Sequence, residues 1–282
     1  MTCSPPLERP KIAIIPVIEW EYDYPEKSIL QDQKKLQEFN FKEITLCLPI
    51  KVNVEKGLVL QDSVLIQSFI RAAQSYLQIY GSYTLCFRFE GDTEVWLAQQ
   101  QDLLPFFSSY QRWITKIITL LPKPPERIIL GNDIYSVHQE IAWEFLIKQL
   151  RKNQIQGKFL IASLPERIYA NIPWQLCDEI GILFNSPEDG NYKKYARNHH
   201  PKIAALSDQL KKPIYIVRPN LLETHATIPF KNLLRFWPDS TKISGIQIST
   251  IFPTPVFSDT NQPYGRAKDV EFLQTIRSYT AQ

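Results

Sequence analysis

Glycine is scarce in this sequence: nine residues of 282, against 21 prolines. A nucleotide-binding α/β fold needs a glycine-rich turn after its first strand, where backbone amides approach the phosphates. The segment after the first apolar run reads VIEWEYDYPEK and contains no glycine. A phosphate-cradling loop is therefore not expected there, and no cofactor is expected. Cysteine is also sparse. Cys3, Cys47, Cys86 and Cys177 show no C-x-x-C spacing, so no metal site is expected from them. Cys47 and Cys86 lie inside apolar runs and read as core residues, with a disulfide between them neither required nor barred. No run of about 18 apolar residues occurs, so no membrane-spanning helix is expected. The opening MTCSPPLERPK lacks the apolar centre of a signal peptide. Cys3 is a lipidation candidate only in a chain trimmed just before it, which leaves localisation open. Charge of one sign is missing too. The 32 basic and 29 acidic residues are mixed along the chain, with net charge +3 and no long basic block, which argues against a nucleic-acid or membrane-surface partner.

What is present is a chain 44% hydrophobic and 22% charged, the composition of a packed globular protein. Eight aliphatic or β-branched runs recur, at 11–17, 43–50, 83–89, 127–132, 158–163, 179–184, 213–218 and 245–252. They are nearly continuous in apolar character, as strands covered on both faces are. Helical spacing lies between them: Leu65, Phe69, Ala72 and Tyr76, with Gly81 as a stop, then Phe106, Tyr110, Trp113, Ile117 and Leu121. Ser136 and Gln139 form a capping box for a helix expected to bury Val137, Ile141, Phe145 and Leu150. The fifth and sixth runs start so close together that the helix between them must be brief. Alternation without a glycine loop favours a closed (β/α)8 TIM barrel of class α/β over a doubly wound sheet. One barrel is expected over residues 11–282, preceded by a disordered segment over 1–10; the sequence sets no oligomeric state.

In such barrels chemistry sits at the carboxyl ends of the strands. That rule nominates Glu19, Trp20, Glu21 and Asp23 after the first run, and Lys51 and Asn53 after the second. Arg88, Glu90, Asp92 and Trp96 follow the third run; Asn132 and Asp133 end the fourth, in RIILGND. Ser163 and Glu166, Asn185, Arg218 and Asn220, and Thr250, Phe252 and Asp259 complete the set. Carboxylates, amides and rings at one mouth suit a sugar, whose hydroxyls need hydrogen bonds and whose faces stack on aromatics. Each residue also has a plainer reading. Glu19, Glu21 and Asp23 fit a solvated loop, and Trp20, Trp96 and Trp237 fit packing as well as sugar platforms. His199-His200-Pro201 reads as a helix entrance, and His138 as part of the capping box.

From the fourth run onward the order of pieces resembles the retaining glycoside hydrolases with (β/α)8 barrels, in particular their endo-mannanase branch. Leu130-Gly131-Asn132-Asp133 stands where that family ends its fourth strand on Gly-Asn-Glu. Ala142-Trp143, Gln149-Leu150-Arg151 and Gly157-Lys158-Phe159-Leu160 follow in the family's order, as does Trp174-Gln175-Leu176-Cys177-Asp178-Glu179-Ile180-Gly181. Lys212-Pro213-Ile214-Tyr215-Ile216-Val217 then leads to Arg218. The resemblance is strongest over 120–220. It implies Asp133 at the acid/base position and Arg218 at the nucleophile position. Retaining hydrolysis needs two carboxyl groups about 5 Å apart. An aspartate is one methylene short, and a permanently charged guanidinium cannot attack an anomeric carbon. A cation facing Asp133 would also favour its ionised form, the opposite of what a general acid needs. The expectation is therefore a hydrolase-like barrel that does not carry out retaining hydrolysis. Its cleft would bind a carbohydrate or a partner through Asn132, Glu90, Asp92, Trp20, Trp96 and Asn185. A rearranged pair such as Asp133 with Glu90 or Glu223 would instead give an active hydrolase. A cleft filled by its own side chains would give a structural or assembly domain.

Overall fold

The computed structural model describes residues 13–19, 36–37, 41–59, 62–89, 91–132, 140–168, 172–185, 191–220, 242–248 and 274. At Glu19, Asp92, Asn132, Asn185 and 218–220 it describes the backbone. The segment 1–10 lies outside these residues.

The aliphatic runs form strands β1 (Ile14–Glu19), β2 (Glu43–Ile50), β3 (Ser82–Phe89) and β4 (Arg127–Asn132). β5 has two halves, Lys158–Leu160 and Ala162–Ser163, and is followed by β6 (Ile180–Asn185), β7 (Ile214–Asn220) and β8 (Ile243–Ile248). Every pairing among them is parallel. The sheet's nine hydrogen-bonded segments begin on one half of β5 and end on the other. The ring thus closes around a single strand broken at Ile161. Gly181 on β6 makes that closure sterically open: a Cβ there would lie 2.3 Å from the Ile161 carbonyl oxygen. The strand must therefore be bare at this point.

Between strands lie α1 (Ser63–Ile79), α2 (Gly91–Gln99), α3 (Leu104–Leu120), α4 (Glu140–Lys152) and α5 (Tyr192–Leu210). The Asp62 carboxylate caps α1 by accepting from the amides of Val64 and Leu65 at 3.0 Å. Gly81 does not stop this helix by turning left-handed. Tyr80 extends instead (φ −101, ψ 125), and Lys123 donates its ammonium to the carbonyls of Tyr80 and Gly81 at 2.6 and 2.9 Å. In α4 the expected face is rotated. Ala142, Trp143, Leu146, Ile147 and Leu150 are buried, whereas Ile141 is 75% exposed. Two apolar periods overlap in this helix, and the one carrying Trp143 buries the larger area. The brief element between β5 and β6 is a 3-10 turn at Pro165–Arg167. Pro201 lies inside α5, so His199 and His200 sit mid-helix and not at its entrance.

Alternation along the strands sorts side chains into two apolar layers. Ile44, Leu46, Leu48 and Ile50 of β2, with Tyr83, Leu85, Phe87 and Phe89 of β3, join the layer under the helices. Ile15, Val17, Cys47, Cys86, Ile129, Leu160, Leu183, Tyr215 and Val217 fill the lumen. Cys47 and Cys86 are opposite in register and buried, and neither forms a disulfide.

Candidate functional site

Because all eight strands run the same way, their carboxyl ends meet at one mouth. Register puts Pro49, Arg88 and Asn132 in one row across β2, β3 and β4. Asn185 and Asn220 pair across β6 and β7. Glu19 is the last residue of β1, opposite Cys47, so it belongs to a strand and not to the solvated loop expected for it. Arg88 continues the face of Thr84 and Cys86, whose side chains enter the lumen, and it is half-buried. Among the described residues, apolar side chains fill the lumen beneath this level, so a ligand entering from this mouth would sit at the strand ends.

Two backbone irregularities fall at this end. On β4 the pairing with β3 slips one residue between Ile129 and Asn132. On β7 the pairing with β6 slips between Val217 and Asn220. A bulge re-aims a strand end, which is why bulges gather beside functional sites. These two lie on the strands that lead to Asn132-Asp133 and to Arg218. Asp133, Glu90 and Trp20, together with Glu21, Asp23, Trp237, Thr250, Phe252 and Asp259, lie outside the described residues, as do the capping-box positions 136–139.

Beside the mouth, residues Val52–Asn53 and Leu58–Val59 form a short antiparallel hairpin after β2. Thr93 of α2 holds it, donating to the Ile50 carbonyl and accepting from the Val52 amide, both at 3.1 Å. Asp92 is the second residue of α2. Trp96, on the same helix, is half-buried with its ring 5.9 Å from that of Phe106 and against Gly57. Glu166 reaches His199 of α5 at 3.5 Å. Among the described residues no group of three or more His, Cys, Asp or Glu side chains could hold a metal ion. No helix there is long and apolar enough to cross a membrane.

The opposite end of the barrel holds charges that strand-end reasoning passed over. Arg127, the first residue of β4, donates to Glu179 at 2.8 Å and to both carboxylate oxygens of Glu43 at 2.9 and 3.0 Å. Its guanidinium also lies 5.0 Å from the centre of the Tyr215 ring. Thr84 donates to Glu43 at 2.6 Å, and Gln247 to Thr45 at 3.1 Å. Burial works against the charged Arg127, but Glu179 and Glu43 outweigh it and hold its pKa above the ordinary value. The signal available in the sequence was a charge at the start of an apolar run: Glu43, Arg127 and Lys158 each open a strand, and Glu179 precedes one. An open cleft of about 450 Å³ lies at this end, with Ser82, Glu126, Gln156 and Lys158 on its walls. This is the face that serves stability in such barrels.

The arrangement is a (β/α)8 barrel, the architecture in which function is expected at the carboxyl-end mouth. Among solved structures it is similar to a GH113 β-1,4-mannanase, at TM-score 0.73 and 14% identity, covering 96% of this chain and 99% of that one. It is also similar to the GH113 β-mannanase AaManA of Alicyclobacillus acidocaldarius, at TM-score 0.71 and 12% identity over 96% and 97% of the two chains. An endo-β-1,4-glucanase from Xanthomonas axonopodis pv. citri follows at TM-score 0.59 and 10% identity, over 93% and 92%. At such identities the likeness is one of fold. No protein-family model and no curated protein sequence matches the chain.

Proposed function

We propose that this barrel binds a carbohydrate at its carboxyl-end mouth without retaining hydrolysis. The observation that carries the reading is Arg218. It lies two residues before the end of β7, at the position where the resemblance to mannanases calls for the nucleophilic glutamate. A guanidinium has no lone pair to offer an anomeric carbon, and its charge opposes a developing oxocarbenium ion. Asp133, at the acid/base position, is a methylene short. A displacement of that size can cost on the order of a hundredfold in rate. The bulges on β4 and β7 support a mouth still shaped around these two strand ends. Asn132, with Asn185, Asp92 and Glu90, would take hydroxyls, and Trp20 and Trp96 the sugar faces.

A glycan array followed by incubation with each bound glycan tests this reading. Binding without cleavage is the expected result. Turnover that disappears in Asp133→Ala would establish a working hydrolase with a rearranged carboxylate pair. A folded protein that binds no glycan would leave a protein partner, or a structural role, as the use of the mouth.

A further inference from the structure

Charge along α5 runs against what a helix favours. Acids in the first turn, bases in the last and opposite charges four residues apart all stabilise a helix. α4 follows that pattern, with Glu140 in its first turn, Arg151 and Lys152 in its last, and Lys148 on Glu144 at 2.6 Å. α5 reverses it. Its first turn holds Lys193 and Lys194 and no acid, its last turn holds no base, and Lys193 and Arg197 set like charges four apart. From Asn191 to Ser207 the sequence has no acidic residue. Lys193, Lys194, Arg197 and Lys202 are all exposed, while Tyr192, Ala196, His200, Ile203 and Leu206 take the buried face. Helix stability does not account for four cations placed this way, and departures from such local rules gather where a protein works.

We propose that this face of α5 docks the protein on an anionic lipid surface. The cations span roughly 13 Å along the helix at its usual rise, and Asn198 and Pro201, exposed among them, are uncharged. Acids at the edges are already engaged: Glu166 with His199 at 3.5 Å, and Asp208 with Lys242 at 2.6 Å. Glu188 and Asp189, which precede the helix outside the described residues, still leave four cations against two carboxylates. Three of the four are lysines, point charges on flexible stems that adapt to a diffuse layer of phosphates. Among the described residues this face carries no ring. Tyr192 is buried, and Tyr195 turns to Phe184 and His199, with ring centres 5.4 and 4.6 Å apart. Nucleic-acid bases have nothing there to stack on, and a protein partner has no anchor to bury. Charge alone suits an anionic leaflet, where each basic residue adds to the attraction. α5 follows β6, so the lipid would lie beside the mouth. The net charge of +3 over the whole chain conceals this local excess.

Sedimentation of the whole protein with vesicles tests the assignment, using phosphatidylcholine alone and phosphatidylcholine mixed with phosphatidylserine at roughly two to one. Binding to the anionic vesicles is expected to be at least about tenfold tighter, and added salt should weaken it. The combined variant Lys193→Gln, Lys194→Gln, Arg197→Gln and Lys202→Gln should lose about tenfold or more of that affinity. Lys152→Gln, in the last turn of α4, should change it by less than about twofold. The lipid comparison uses unaltered protein, so it stands even if the combined variant fails to fold. Equal sedimentation with both vesicles, sedimentation with neither, or anionic binding unchanged in the folded α5 variant would overturn the proposal. So would tighter binding to a duplex oligonucleotide than to the anionic vesicles, which would assign the face to nucleic acid. No glycan enters the test, so the carbohydrate reading stands or falls separately.

Discussion

Arg127 shows how much a single residue at the closed end of the barrel carries. Its side chain is 8% exposed and Glu179's is 1%, while Glu43 at 13% is held from the other side. One guanidinium serves both of these carboxylates, which see little water, with Lys158 3.7 Å from Glu179. Removing the cation leaves uncompensated buried charge, which costs more than the pair contributes when intact. Arg127→Met should therefore lower the unfolding free energy by about 3–5 kcal/mol, seen as a lower urea midpoint at unchanged slope. Adding Glu43→Gln and Glu179→Gln to that variant should recover part of the loss. A full loss that persists after the carboxylates are neutralised would place the cost in packing of the arginine stem instead. Lys212 does a related task one strand-pair away, donating to the carbonyls of Trp174, Gln175 and Cys177. The sequence displayed it as half of a Lys-Pro motif, without its purpose.

At the scale of elements, the weak point is β5. Its two halves pair with β4 and β6 respectively, and the break at Ile161 faces Gly181. A methyl group on Gly181 would sit 2.3 Å from a carbonyl oxygen, and backbone cannot rotate away as a side chain can. Gly181→Ala should destabilise by about 1–3 kcal/mol or more, measured as a lower melting temperature. Hydrogen exchange should be faster in 158–163 and 180–185 than in β2. Uniform loss across the sheet would mean that closure is not concentrated at this strand. The sequence showed both elements as apolar runs, within a residue or two of their bounds. It could not show the break, because an interrupted strand and a continuous one bury the same residues. The face of α4 was misjudged for a similar reason: Ile141 and Phe145 are as apolar as Leu146 and Ile147, and periodicity alone cannot choose between overlapping stripes.

For the whole molecule, the fold was legible because a parallel ring buries both faces of every strand, and each strand must then be an almost unbroken apolar run. The mouth was legible only as a set of strand ends. Its residue types follow a ligand that the chain does not contain, and register and bulges, not composition, decide which of them meet. The ring also makes the chain indivisible. β1 pairs with β8 through Ile14↔Ile246 and Ile15↔Gln247, so the first and last strands among the described residues complete each other. Either half alone would expose two sheet edges. Unfolding should accordingly be one event for the lumen and for the outer layer. Three buried thiols report on both: Cys47 and Cys86 from inside the barrel, Cys177 from beneath the helices. Burial pushes the Cys177 thiol up to about 12, against the pull of Lys212, so at pH 8 it stays protonated in the native protein and reacts only on opening. Alkylation of the three at rising urea, read peptide by peptide in a mass spectrometer, should give one shared midpoint that coincides with loss of helix signal. A Cys177 midpoint well below that of Cys47 and Cys86 would show the helical layer leaving a barrel that still stands, and closure of the ring would then not be what binds the two layers together.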